Sequence, residues 1–251
     1  TWTNTINFNK DFANGHSLNA VAGMEMFQGK WYTSNFTGYD LNSDMMQSPA
    51  GIGDKSGSSL FPPSIGGGRT MSNLMSFFAQ ASYSIANKYN FSASLRHDTS
   101  SKFYEDNASA TFWSVGASWL ISSESWFDNA KWLNQLKLRA SYGTTGNQDG
   151  VSDFGTFDGY YNSSYNGESG YSHGQLGNSE LRWETSAQTN VGLDVSVLDS
   201  RVNVTFDFYN IKTKDLYMSK NISMTSGFSS ILANAGSIVN RGITRDRKSV
   251  V

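Results

Sequence analysis

Residues 182–216, RWETSAQTNVGLDVSVLDSRVNVTFDFYNIKTKDL, constrain the fold more than any other stretch of this chain. Thr189, Val191, Leu193, Val195 and Val197 alternate with Gln188, Asn190, Gly192, Asp194 and Ser196. Beyond Leu198-Asp199-Ser200-Arg201 the alternation resumes, with Val202, Val204, Phe206 and Phe208 set against Asn203, Thr205, Asp207 and Tyr209. A period of two places each set on one side of a pleated strand, whereas a helix would smear both sets around its axis. The polar tetrapeptide turns the chain back and predicts an antiparallel hairpin. Each strand then has one apolar and one polar face, and the apolar face must meet either a protein core or lipid.

The same period recurs along the chain. Trp2, Ile6 and Phe8 share a face of a first strand, and Leu18, Ala20, Ala22, Met24 and Met26 line a second that runs on towards Trp31 and Tyr32. A polar stretch from about Thr37 to Arg69 interrupts. Phe77 to Ile85 and Phe91 to Leu95 give the third and fourth strands, Trp113 to Ile121 the fifth and Leu136 to Tyr142 the sixth. The opening hairpin supplies the seventh and eighth, and Ile238 to Ile243 begins a ninth. Between the fifth and sixth, Ser122–Leu133 is expected to hold a short helical turn with Ser123 as its N-cap.

Composition narrows the choice of solvent. Charged residues are 16% of the chain, against the roughly 25% of an ordinary soluble protein. A net charge of −2 argues against a nucleic-acid partner, since phosphate neutralisation needs clustered Lys and Arg. The absence of Cys excludes disulfides, thiolate metal sites and Cys nucleophiles. No run of 18 apolar residues exists, so no membrane helix is expected. A mean hydropathy of −0.44 remains compatible with a membrane barrel, in which only every second residue meets lipid.

Connection lengths favour the barrel. Short links near Asn14, Lys88 and Ser200, with a medium one at Ser122–Leu133, alternate with longer ones near Met46, Ser101, Tyr161 and Ser226. Transmembrane barrels sort their loops this way, with short periplasmic turns and long extracellular loops. Strands of ten residues or so also suit a tilted membrane crossing of about 9–11 residues. The expected fold is therefore all-β, an antiparallel transmembrane β-barrel segment of about nine strands. The alternative is a soluble β-sandwich acting as a carbohydrate- or protein-binding module, which would bury its apolar faces against each other.

Several segments carry a family resemblance. LKLRASYGTTGNQ (136–148), LRWETSAQTNVGLD (from Leu181), FYNIKTKDL (208–216) and TSGFSSILANAGSIVNRGI (225–243) resemble the C-terminal barrel of SusC/RagA-type TonB-dependent outer-membrane transporters. SLRHDTSSKF near Arg96 and WSVGASWLISSESWF near Trp113 fit the same family. The resemblance implies about nine strands of a barrel of about 22, in the outer membrane of a Gram-negative, Bacteroidota-like cell. It implies import of an oligosaccharide or peptide, no enzymatic activity and no cofactor. The implied partners are outer-membrane lipid, a SusD-like surface lipoprotein, and the TonB complex acting through a plug domain that this segment lacks. The barrel is expected to occupy residues 1–245. Asp246-Arg247-Lys248-Ser249-Val250-Val251 matches the in-frame translation of a sequencing adapter and is expected to be a non-native tail.

Individual residues divide accordingly. His16, His97 and His173 stand far apart and make no metal-ligand spacing, and no catalytic constellation is present. His97-Asp98 is expected on a solvated rim and Gly66-Gly67-Gly68-Arg69 in a flexible loop. Asn147-Gln148-Asp149-Gly150 with Asp153 faintly resembles a calcium loop but lacks its ligand spacing and closing Glu. Arg96, Arg139 and Asp194 are expected to face the polar lumen, and Val195 and Phe206 to face lipid. Trp113, Trp119, Trp126 and Trp183 are expected in an aromatic girdle, with Met24 and Met26 as lipid-facing filler. Phe154, Phe157, Tyr160, Tyr161, Tyr165 and Tyr171 crowd one predicted extracellular loop. They either contact substrate or a partner, as aromatic faces with polar tips do, or pack the loop against its neighbours.

Overall fold

The computed structural model describes residues 1–39, 41, 48, 52, 64–127 and 132–249. The strands are β1 (Trp2–Phe12), β2 (His16–Thr37), β3 (Ser64–Ile85), β4 (Tyr89–Ser100), β5 (Ser109–Leu120), β6 (Leu133–Asn147), β7 (Gly159–Tyr165), β8 (Glu168–Gln175), β9 (Glu184–Val197), β10 (Val202–Lys214), β11 (Tyr217–Asn221), β12 (Ser230–Asn234) and β13 (Ser237–Ser249). No helix among the described residues is long and apolar enough to cross a membrane. The chain forms two units, Thr1–Phe27 with Asn73–Val251, and Gln28–Ser72.

Nine strands join in one sheet, in the order β1-β2-β3-β4-β5-β6-β9-β10-β13. The predicted hairpin is β9–β10, antiparallel from Val197↔Val202 to Thr185↔Lys214. Its turn holds Leu198, Asp199 and Ser200 at φ of 57°, 56° and 62°. These left-handed conformations are uncommon outside glycine, and neighbouring groups fix them. Leu198 N donates to Trp132 O, Arg201 N donates to Leu198 O, and Ser200 N donates to Asn134 Oδ1.

Register carries the alternation from strand to strand. On one face Leu138 meets Leu193, Ala140 meets Val191, and these pair onward with Phe206 and Phe208. Towards the other edge, Ile6 meets Ala22, Ala81 meets Ala93 and Leu95 meets Trp113 on that same face. It stays open, with Ile6 79%, Leu95 53% and Phe206 41% exposed. A sandwich would lay a second sheet over such a face. Here all the alternating strands belong to one sheet, and an uncovered apolar face is what a lipid-facing wall requires.

The connections follow the expected parity with one exception. Residues 13–15, 86–88 and 198–201 are tight, while 148–183 and 215–236 are long and contain the hairpins β7–β8 and β11–β12. Neither hairpin shows in the side-chain pattern, because Ser, Gly, Asn and Tyr mask the period of two in β7–β8 and the strands of β11–β12 are five residues each. The exception is 121–132, longer than the 101–108 link on the opposite end of the strands. It contains 3-10 turns at Ile121–Ser123 and Ser125–Phe127, so Ser123 closes the first turn instead of capping a helix. Residues 128–131 of this connection, and most of the predicted Thr37–Arg69 stretch, lie outside the described residues.

Glu124 locks that connection to the strand ends. Its carboxylate accepts hydrogen bonds from the Tyr89 hydroxyl (2.6 Å), Trp119 Nε1 (3.1 Å) and Lys88 Nζ (3.1 Å). Those donors, Tyr89 foremost, hold the Glu124 carboxyl below its usual range. A depressed carboxylate contributes stability above its unfolded value and loses it as pH falls through the folded value. Hydrogen exchange of peptides covering 119–127, corrected for intrinsic rates, is therefore expected to stay constant from neutral pH to the ordinary carboxylate range and to speed up below it. In Glu124→Gln that acid-induced change is absent.

Two other expectations change, for Gly66–Arg69 and for Trp183. In the second unit, Gly66–Arg69 is not loop but part of β3. Thr33 Oγ1 donates to Gly68 O (3.4 Å), Arg69 lies 5.4 Å from the Tyr32 ring centroid, and a Cβ at Gly67 would fall 2.6 Å from Thr33 O. Three glycines show no side-chain alternation, which hides the strand from a pattern reading. The ninth strand runs on beyond Ile243, and residues 246–249 continue its ladder opposite Thr205, Val204, Asn203 and Val202. Backbone N–H and C=O groups pair whatever side chains they carry, but the alternation fails there, since Arg245 and Arg247 stand on the apolar face opposite Phe206 and Val204. Trp183 leaves the girdle altogether, as described below.

Candidate functional site

The polar face in the first unit is a built surface. Arg139 Nε and Nη2 donate to the two oxygens of Asp194 at 2.8 and 3.0 Å, and Nη2 also reaches Asp207 at 3.0 Å. Thr205 Oγ1 adds a donor to Asp194. The guanidinium crosses over Gly192, where a Cβ would lie 2.7 Å from Nη2 and would have to displace the Arg139 head group. Arg96 donates to Asp98 (2.7 Å) and Ser76 (2.9 Å) and covers the Phe78 ring. Arg96, Arg139 and Asp194 thus share the face expected of them.

Asp98 does not lie on a solvated rim. It is 7% exposed because, two residues from Arg96, it shares that cation's face. His97 points the other way, to Thr111 Oγ1. Ser17, Asn19, Asn90, Ser118, Lys137 and Asn190 join Arg139 around a groove of about 550 Å³ on the polar face, a hydroxyl- and amide-lined wall with few fixed charges.

At the end of the strands that bears the long connections lies a small apolar core of Phe103, Phe112, Val151, Leu181 and Trp183. Trp183 was expected in a lipid-facing girdle. Instead it is 7% exposed, packed 5.3 Å from Phe103 and 5.8 Å from Phe112 by ring centroid, with Nε1 donating to Ala108 O (3.1 Å). The polar linkage continues around it. Tyr217 Oη lies within hydrogen-bond distance of Asn147 O and Arg182 O, and it accepts from Glu184 N. Burial, the first of its causes, pushes the Tyr217 hydroxyl up to about 12. The Asn234 side chain brackets Arg182, accepting from its N and donating to its O. Three long connections are thereby tied into one rim.

The rim also explains the GTTGNQ segment. The tip of the Phe112 ring lies over Gly146, and a Cβ there would meet ring carbons at 2.6 and 2.8 Å. The ring is buried and has nowhere to swing. Gly146→Ala is expected to cost about 1–3 kcal/mol by overpacking, measured as a fall in the urea midpoint of the full-length protein with unchanged slope. Gln148 accepts from Ser100 Oγ, and Asn147 Oδ1 accepts from Asp149 N in a local turn. These side chains serve loop geometry, and the described residues hold no group of three or more His, Cys, Asp or Glu placed for a metal ion.

The six loop aromatics do not form one platform. Phe157 packs edge-on to Tyr104. Tyr160 and Tyr171 share one face of the β7–β8 hairpin with His173, whose ring lies 4.6 Å from Tyr160 and 6.2 Å from Phe228. Tyr161 and Tyr165 occupy the opposite face. All six are exposed, from 47% at Phe157 to 89% at Tyr165, with Phe154 at 52%. The rim residues Phe103, Phe112 and Tyr217 were not singled out from sequence. The only available signal was the isolated Leu181-x-Trp183 pair between polar stretches.

An uncovered apolar face, a polar face of paired charges and long connections gathered at one end define a segment of membrane-barrel wall. A family model described as "TonB dependent receptor-like, beta-barrel" matches residues 1–244, and the chain belongs to that family, one of receptors and transporters and not of enzymes. It is 36% identical over 242 residues to TonB-dependent receptor P39 of Formosa agariphila, covering 95% of this chain and 22% of that protein. It is 35% identical over 182 residues to TonB-dependent receptor SusC of Bacteroides thetaiotaomicron, covering 69% and 18%. A solved structure of the RagAB peptide transporter superposes with a TM-score of 0.87 at 27% identity, covering 99% of this chain and 27% of that one. The SusC/RagA resemblance read from the motifs therefore holds, and the chain spans about a fifth of the length of these curated relatives.

Proposed function

We propose that the full-length protein containing this segment imports an oligosaccharide or peptide across the outer membrane of a Gram-negative, Bacteroidota-like cell. The observation that carries this reading is the similarity to the RagAB peptide transporter along 99% of the chain, supported by 35% identity to SusC. On this reading the long connections face the exterior, the short turns face the periplasm, and the paired-charge face lines the lumen. A SusD-like surface lipoprotein sits over the rim, and the TonB complex acts through a plug domain outside these residues. Residues 1–245 are the native barrel segment, and 246–251 the adapter-derived tail. Phe154, Phe157, Tyr160, Tyr161, Tyr165 and Tyr171 offer exposed aromatic area for substrate or lipoprotein, a role supported by the exposure of all six and by the place of the four tyrosines on the β7–β8 hairpin.

Growth of a strain deleted for the full-length gene tests this. With oligosaccharides or peptides as sole carbon source, growth is expected to fail on one class and to return on complementation. Unchanged growth on both classes contradicts the proposal.

A further inference from the structure

The apolar face of β1–β4 carries a groove of about 440 Å³. Ile6, Phe8 and Leu95 form its walls, and Ala20, Ala81 and Ala93 its floor. Register makes it: Phe8 pairs with Ala20, Ala81 with Ala93 and Ala79 with Leu95, so small side chains face one another between larger ones.

Followed towards the tight turns at 13–15 and 86–88, the same face changes chemistry. The next residue on β1 is Lys10, opposite Leu18, then Phe12, opposite His16. On β3, Tyr83 follows Ala81. His16 Nδ1 and the Tyr83 hydroxyl are 2.9 Å apart, and Lys10 Nζ stands 5.1 Å from the Phe12 ring centroid. Lys10 and His16 are diagonal neighbours across an antiparallel pair, roughly 7–8 Å apart. No carboxylate shares this face on β1–β4 within the first unit. Asp11 and Glu25 pair with Ser17 and Thr3 on the opposite face, and Asp98 pairs there with Ser76.

We propose that this groove and the cluster at its end seat one phosphate-bearing glycerolipid from the leaflet on the side of the tight turns. An acyl chain lies along Ala20, Ala81 and Ala93, and the phosphate meets Lys10 and His16, whose ring Tyr83 orients. Charge complementarity selects this occupant. A lysine on a lipid-facing wall extends its ammonium to headgroup level, where a phosphate oxygen makes a charge-assisted hydrogen bond. In the tautomer whose Nδ1 accepts from Tyr83, His16 Nε2 carries a proton and is a second donor. An apolar occupant such as a second copy of the wall would bury Lys10 without a partner, which is unfavourable. The inference rests on the reading that the apolar face meets lipid.

Native mass spectrometry of the full-length protein in detergent tests it, with dioleoyl phosphatidylglycerol as ligand, dioleoylglycerol as the headless control and inorganic phosphate as competitor. One phosphatidylglycerol is expected to be retained, dioleoylglycerol not, and phosphate not to displace it. Lys10→Gln weakens retention about fivefold, the value of one cation near an anionic headgroup. Ala81→Phe fills the groove and weakens it with Lys10 and His16 in place, and heat-modifiable migration verifies that each variant is folded. Equal retention by wild type and Lys10→Gln overturns the proposal, as does equal retention of dioleoylglycerol or displacement by free phosphate. Fractionation separates the two levels: absence from the membrane refutes the lipid-facing reading itself, whereas a membrane-embedded protein without headgroup selectivity refutes only the seat.

Discussion

Trp183→Ala is expected to destabilise the full-length protein by about 3–5 kcal/mol, the range for truncating a buried Trp. The indole touches Phe103 and Phe112 and donates to Ala108 O, so its loss opens a cavity where two long connections meet and orphans a carbonyl. The effect is localised. Trypsin cleavage after Lys102 and Arg182 is expected to accelerate in the variant, while the strands of the sheet stay protected. Trp183→Phe keeps most of the packing and loses only the hydrogen bond, about 1 kcal/mol. Equal cleavage and equal urea midpoints in wild type and Trp183→Ala would show that the rim is not held from this residue.

The second large effect depends on depth. Arginine on the lipid face of a barrel costs about 2–4 kcal/mol at the bilayer midplane and about 0–1 near the interfaces. Val191 pairs with Ala140 and Phe208 well along the strands, whereas Val195 is two pairs from the Val197–Val202 turn. Val191→Arg is therefore expected to lose the full midplane amount and Val195→Arg about 1 kcal/mol or less, by folding yield and stability in bilayers. Arginine at Asn190, on the opposite face, is expected to be tolerated. If all three variants fold alike, the apolar face does not meet lipid.

Much of this was legible because a barrel wall writes itself into sequence residue by residue. The period of two from Thr189 to Phe208 gave strands, faces and turn together, and the nine alternating segments are the nine strands of the sheet. Pairing specificity follows from it, since a slip by one residue would turn Val191 and Phe208 to the polar side. What stayed hidden lacks that period. Gly66–Gly68 has no side chains to alternate, the β7–β8 hairpin is built mostly from Ser, Gly, Asn and Tyr, and β11 and β12 are only five residues each. Trp183 was misplaced because an aromatic near a strand end is compatible with a girdle, and only the approach of Phe103 and Ala108 from another connection buries it. Arg139 was placed on the correct face, but its two carboxylates come from β9 and β10, and no local spacing announces Asp207. The loop aromatics were found as a group, yet hairpin pairing divides them between two faces, a separation set by register and not by composition.

The measurement closest to the central claim is a spin-label scan along β10. The chain has no Cys, so single cysteines at 203 to 208 can be labelled in full-length protein in bilayers, any cysteines elsewhere having been replaced. Accessibility to oxygen, which partitions into lipid, is compared with accessibility to a polar nickel chelate. Strict alternation is expected, with Val204, Phe206 and Phe208 reporting lipid and Asn203, Thr205 and Asp207 reporting a polar environment. A flat profile, or one with the phase reversed, would contradict it.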